Sequence, residues 1–199
     1  MSNPLSRERI VEAALCLSTP GGLSCVSMRA LAGALGVTPM ALYRHFANKD
    51  EVLLAVTDTR LRAQRLPSAR VGWRSYLRAL AFLLRELLRS DPEIIGLYNR
   101  QPVTTASARD RLTTAVEVLV RAGFDEGAAV RCYAAVHTYT LGYCSLEAAR
   151  GRHLGEPGES VTNAATLIRG FVSDDQFEFG LDVILDGMSV AARKISADP

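Results

Sequence analysis

Apolar positions recur along this chain at the three-to-four-residue spacing of helices, and no stretch alternates in the two-residue rhythm of a strand. Ile10, Ala13, Ala14 and Leu17 mark the inner face of a first helix that starts near Ser6 and ends before Thr19, Pro20, Gly21 and Gly22. Ala30, Leu31, Ala32 and Leu35 form a second apolar set. Gly36 closes it, where a helix end needs a left-handed residue that glycine adopts cheaply. Thr38 then stands as N-cap and Pro39 at the first position of a third helix, running from Met40 to about Phe46. Asn48 and Glu51 have capping-box spacing at the head of a fourth helix, Lys49 to Gln64, which stops before Pro67.

Beyond Pro67 the helical pattern continues with short breaks. Trp73, Leu77, Leu80, Leu84, Leu87 and Leu88 make an amphipathic helix from Ala69 to Arg89, and Asp91-Pro92 opens a short one to Tyr98. Another runs from about Ala106 to Ala122 and closes at Gly123; Asp125 caps a long one to about Arg150. A glycine- and proline-containing loop (151–160) precedes a helix over about 161–169. The last begins at Ser173, with Gln176 as its capping-box partner, and reaches about Ser196. It carries two apolar stripes: Phe177, Leu181, Ile184, Met188, Ala191 and Ile195 on one side, Phe179, Val183, Gly187 and Val190 on the other. One stripe suits the subunit's own core and the other a partner copy, with Ala128, Ala129, Ala134 and Ala135 on the Asp125 helix permitting close approach. The same stripes also fit the core of a monomer. The pattern predicts an all-α protein in two parts: a three-helix helix-turn-helix unit with its linking helix 49–64 (residues 1–66), and a larger helical part that ends in the two-sided helix (residues 67–199).

The turn at Gly36 gives the first part a candidate chemistry. At about 100° per residue, Leu42 and Phe46 fall on one side of the third helix and Met40, Tyr43 and Arg44 on the other. The outward side holds a guanidinium suited to guanine or phosphate and a phenol suited to phosphate or a thymine methyl. Lys49 follows where a cation suits a phosphate. An ordinary helical hairpin with Tyr43 and Arg44 as solvated surface has the same spacing.

Ser27, Met28, Arg29, Leu31, Ala32, Gly36, Val37, Leu42, Tyr43, Arg44, His45, Phe46 and Lys49 resemble the DNA-binding pattern of the TetR family of transcriptional regulators, and the likeness extends over Arg7 to about Val56. The stretches 122–143 and 177–188 are similar to the C-terminal domain of its tetracycline-repressor branch. The resemblance implies double-stranded operator DNA as a partner, with Ser27, Arg29, Thr38, Pro39, Met40, Tyr43, Arg44, His45 and Lys49 as contacts. It also implies that residues 1–66 are the helix-turn-helix DNA-binding domain and residues 67–199 a helical effector-binding and dimerisation domain, in a homodimer that represses transcription until a small-molecule effector binds. That branch holds its drug's magnesium with a histidine in the middle of the regulatory domain. The histidines here are His45, His137 and His153, none between Asp91 and Gly123. No metal and no cofactor is therefore expected.

For the effector, Tyr133, His137, Thr140 and Cys144 run along one face of the Asp125 helix, and with Trp73, Tyr98 and Arg100 they form the candidate pocket. A satisfied core histidine with core tyrosines fits equally. Cys16, Cys25, Cys132 and Cys144 have no metal or redox spacing and read as buried small apolar residues.

Composition adds limits. The chain has 199 residues, 48% hydrophobic, enough for a packed helical core. Its net charge of +2 does not by itself announce nucleic acid, but up to Leu66 there are eight basic residues against five acidic ones. No apolar run reaches the ~20 residues of a membrane helix and MSNPLSRERI has no signal-peptide core, which predicts a cytoplasmic protein without membrane contact. Two other classes compete. An all-helical enzyme lacks any G-x-S-x-G, H-E-x-x-H or phosphate loop to work with. A protein-binding adaptor would use Tyr43 and Arg44 as interface anchors.

Overall fold

The computed structural model describes residues 4–19, 21–100, 105–153 and 172–195. All regular structure among them is helical: α1 (Arg7–Ser18), a 3₁₀ turn (Leu23–Cys25), α2 (Met28–Leu35), α3 (Pro39–Tyr43), α4 (Lys49–Ala63), α5 (Trp73–Ser90), α6 (Glu93–Arg100), α7 (Ala106–Arg121), α8 (Glu126–His153) and α9 (Asp174–Ile195). The expected helix over 161–169 and the end of the last helix lie outside the described residues. The amphipathic helix starts at Trp73 rather than Ala69, because the chain turns through Ser68 and Gly72 first. No helix among the described residues is long and apolar enough to cross a membrane.

The chain forms two compact units. The first comprises residues 1–65 together with 90–109, the second 66–89 together with 110–199. The chain thus leaves the first unit near Pro67 but returns to it for α6 and the start of α7, a return that a single junction does not anticipate.

In the first unit, Ile10, Ala14, Leu31, Leu42, Phe46, Val52 and Val56 build the core. Its polar staples come from segment 90–109. Asp91, 2% exposed, accepts from the Leu23 N–H at 3.0 Å and forms an ion pair with Arg60 of α4. Arg60 also donates to the Ser18 hydroxyl of α1 at 2.8 Å, so one carboxylate ties α1, α4 and the 3₁₀ turn together. Gly22, at φ 72°, lets the chain bend beside it: an added Cβ would lie 3.2 Å from Asp91 Oδ1. Asp50 receives both arms of Arg100 at 2.9 Å, and Asp58 accepts from the Ser107 N–H at 2.9 Å.

The second unit packs α5, α7, α8 and α9 around Tyr76, Leu77, Leu119, Phe124, Phe177 and Leu181. Arg85, 4% exposed, pairs with Glu147 (2.9 Å) and Asp174 (2.7 Å) and lies over the Phe177 ring at 4.4 Å. Arg74 and Arg78 of α5 meet Glu178, Asp182 and Asp186 of α9. Gly180 is required for close approach, since a Cβ there would fall on the Tyr139 hydroxyl, which donates to the Phe177 carbonyl at 3.0 Å. The cysteine reading needs correction: only Cys144 is buried, Cys132 is half-buried, and Cys16 and Cys25 are exposed, because both sit on helix and turn positions that face away from the core.

Asp91→Ala should destabilise the first unit by about 3 kcal/mol, since it strands a buried N–H and the Arg60 guanidinium together. Asp91→Asn keeps an acceptor for Leu23 and should cost less. Denaturant unfolding of both variants measures the difference.

Candidate functional site

The helix-turn-helix geometry begins with two end motifs around α2. Ser27, extended at φ −140°, accepts from the Ala30 N–H at 3.1 Å and so caps the helix start. At the other end Gly36 sits at φ 66°, and the Val37 and Gly36 N–H groups return to the Ala32 and Gly33 carbonyls at 3.0 and 3.3 Å, a Schellman ending. That reversal aims α3. Thr38 occupies the N-cap position in extended conformation, but its side chain makes no capping bond, a correction to the expected role; Pro39 alone sets the first turn. Regular helix ends at Tyr43, short of Phe46, although the Phe46 N–H still reaches the Leu42 carbonyl at 3.0 Å.

The two sides of α3 separate as the spacing requires. Leu42 is fully buried and Phe46 1% exposed, whereas Met40 is 73% and Tyr43 47% exposed. Pro39 and Thr38 are exposed beside them, as are Ser27 and Arg29 at the head of α2; His45 and Lys49 are half-buried. Among the described residues no hydrogen bond or ion pair engages the exposed guanidinium of Arg29 or of Arg44. This contrasts with Arg60, Arg74, Arg78, Arg85 and Arg100, each committed to a carboxylate. Lys49 opens α4 behind a cap in which Asn48 accepts from the Glu51 N–H, while Glu51 reaches the Ala47 N–H rather than that of Asn48. One contact was not legible in the pattern: Arg7 of α1 donates to the His45 carbonyl and covers the Phe46 ring.

The candidate pocket residues do not gather into one group. Tyr98 and Arg100 belong to the first unit, where Arg100 is taken by Asp50. Trp73, Tyr133, His137, Thr140 and Cys144 belong to the second. Trp73 packs edge-on to Phe124, with ring centres 5.3 Å apart. The Thr140 hydroxyl is buried and turned back onto the Val136 carbonyl at 2.8 Å, and burial pushes the Cys144 thiol up to about 12, so both are core groups. Tyr133 and His137 stack at 5.8 Å. Burial raises the phenol's pKa and lowers the imidazole's, which keeps both neutral near pH 7. Two side chains join them. Tyr76 is 1% exposed and its hydroxyl makes no hydrogen bond of normal geometry, Thr114 being its polar neighbour. Arg111, 6% exposed, is close enough to counter the burial effect on both Tyr76 and Tyr133. A buried arginine on an otherwise apolar helical face is the signal that would have pointed to it.

The same two-part layout appears in known proteins. A family model described as bacterial regulatory proteins, tetR family, matches residues 10–56, and one described as tetracyclin repressor-like, C-terminal domain, matches residues 66–192. The class A tetracycline repressor of transposon 1721 from Escherichia coli is 30% identical, covering 93% of this chain and 91% of the repressor. A possible TetR family transcriptional regulator from Streptomyces coelicolor A3(2) superposes with a TM-score of 0.74 at 28% identity, covering 94% of this chain and all of that one. BioQ bound to its natural double-stranded DNA operator superposes at 0.70 with 27% identity, covering 94% of this chain and 99% of BioQ. The chain belongs to the tetR family of bacterial regulatory proteins, and is a DNA-binding regulator of transcription rather than an enzyme.

Proposed function

We propose that the protein is a cytoplasmic homodimeric repressor, released from a palindromic operator when a small molecule binds the second unit. The observation that carries this reading is the face of α3: Met40, Tyr43 and Arg44 stand out to solvent on a helix pinned underneath by Leu42 and Phe46. A helix of that kind fits a major groove, with Arg44 and Arg29 free to pair with guanine and Ser27, Tyr43 and Lys49 positioned for phosphate. Two such helices on a dimer meet half-sites about 34 to 36 Å apart, so a change in their separation ends simultaneous binding.

The dimer surface we assign to α8 and α9. Phe179, Val183 and Val190 are 64, 54 and 55% exposed along one side of α9, while Phe177, Leu181 and Leu185 are fully buried on the other. Val130 and Leu146 are exposed on α8. So much apolar surface on one pair of helices suits a partner copy.

For the effector we assign the face made by Tyr76, Arg111, Tyr133 and His137, which combines one cation with neutral donors and ring surface. It suits a small, partly apolar molecule with an acidic oxygen. A magnesium-bound drug fits poorly, because no histidine lies between Asp91 and Gly123. In the first unit, α4 is the element to carry the response, since Asp50, Asp58 and Arg60 bind it to segment 90–109, which leads into α7.

Three outcomes are expected. Arg44→Ala and Arg29→Ala should cost about 1 to 3 kcal/mol on the preferred duplex and less on random DNA. Lys49→Ala should instead weaken both alike and flatten the salt dependence by roughly one counterion, read by titration at several salt concentrations. In sedimentation, Phe179→Glu should convert a species of twice 21.6 kDa to one of 21.6 kDa and stay folded, whereas Leu181→Glu should unfold.

A further expected outcome concerns pH. Because burial depresses the His137 pKa, the folded state binds fewer protons than the unfolded one once pH falls below the ordinary value of about 6.5. Stability should decline on acidification through that range, and His137→Phe should remove part of the slope. Melting curves from about pH 7.5 to pH 5 compare the two.

A further inference from the structure

The end of α3 is held by a side chain from outside the helix-turn-helix. A helix leaves its last carbonyls without intrahelical donors. In α3 the Leu42 carbonyl is used twice, by the His45 and Phe46 N–H groups at 2.9 and 3.0 Å. Three residues further on, just past the end of α3, the His45 carbonyl accepts from the guanidinium of Arg7 in the first turn of α1. The same guanidinium lies over the Phe46 ring, its carbon 3.9 Å from the ring centre. Arg7 therefore grips two consecutive residues, one with its edge and the other with its face.

Only arginine joins these functions. Its planar fork stacks on a ring while still donating in the plane, whereas lysine offers a compact, strongly hydrated point charge. Neighbouring groups agree with the placement: the Glu8 carboxylate is held below its usual range first by its own backbone N–H, then by the Ser6 hydroxyl, with smaller contributions from Arg7 and His45. The residues so held are the immediate continuation of Tyr43 and Arg44. A pivot at His45–Phe46 would swing both of those side chains.

We propose that Arg7 is a positioning residue for DNA reading: its contacts to the His45 carbonyl and the Phe46 ring set the direction in which α3 presents Tyr43 and Arg44, and it reads no base or phosphate itself. This rests on the reading of α3 as the DNA-facing helix. Its consequence is selective. Losing a positioning group misplaces base contacts, which need defined geometry, more than phosphate contacts, which tolerate displacement.

The test uses the full chain with Arg7→Ala and Arg7→Lys, against the 30-base-pair duplex that the wild type selects best from a random pool and a scrambled duplex of equal composition. Both variants should lose about tenfold affinity for the selected duplex, change less than about twofold on the scrambled one, and keep the wild-type slope of affinity against salt. Equal losses on both duplexes with a slope reduced by about one, restored in Arg7→Lys, would mark a phosphate contact and overturn the proposal. Amide exchange on the free protein reads the strap without DNA: residues 42–47 should exchange faster in both variants while α4 keeps its protection. Unchanged exchange at 42–47 also overturns it, and so does general loss of protection, which would make Arg7 a folding residue. A wild type that prefers no duplex would refute the DNA reading of α3 itself, while the exchange data still decide the strap.

Discussion

Five residues of helix cannot hold their own shape in water, because nucleating a turn costs more than so few hydrogen bonds return. The helix α3 therefore exists only through what lies under and around it: Leu42 and Phe46 buried in the first unit, Gly36 reversing the chain before it, and Pro39 setting its first turn. Everything proposed for DNA recognition depends on that anchorage. A reading face with two inward anchors and three outward side chains has little room for substitution beneath it. A smaller residue at position 42 or 46 would open a cavity directly under the contacts.

The arginines divide by duty. Arg60, Arg85 and Arg100 are held by carboxylates, and Arg85 is nearly sealed from solvent between Glu147, Asp174 and the Phe177 ring. Breaking such a pair leaves a stranded charge, so these residues contribute to shape. Arg29 and Arg44 are exposed and uncommitted within the described residues, which leaves their donors for an outside acceptor. In a chain with a net charge of only +2, it is this distribution rather than the total that suits nucleic acid.

The second unit has a similar division between its two long surfaces. On α9 the buried stripe and the exposed stripe alternate around one helix, joined to α5 by the Arg74 and Arg78 ion pairs. Those pairs are partly solvated and worth little individually; the buried Phe177, Leu181 and Leu185 hold α9 in place. Within the unit, the polar groups Tyr76, Arg111, Tyr133 and His137 interrupt an apolar interior. Burying unsatisfied polar atoms is costly, so a hydroxyl such as that of Tyr76 suits a place where a ligand completes the bonding.

Local chemistry was readable from the chain alone. Helices, the Gly36 turn, the Asn48 cap and the opposed sides of α3 and α9 follow from periodicity and end residues, which act over a few positions and need no knowledge of the fold. The family resemblance added an expectation of which residues face DNA. What the tertiary structure decided are contacts between residues distant in sequence: Asp91 with Arg60 and Leu23, Arg100 with Asp50 instead of a ligand, the return of segment 90–109 to the first unit, and Arg7 on His45 and Phe46. No periodicity encodes these, because a long charged side chain at an exposed helix position is compatible with solvent, with a carboxylate or with a carbonyl on any neighbour. Thr38 shows the limit at short range too: its position is that of a cap, yet whether its hydroxyl turns toward the helix is settled by packing around it, and here it does not.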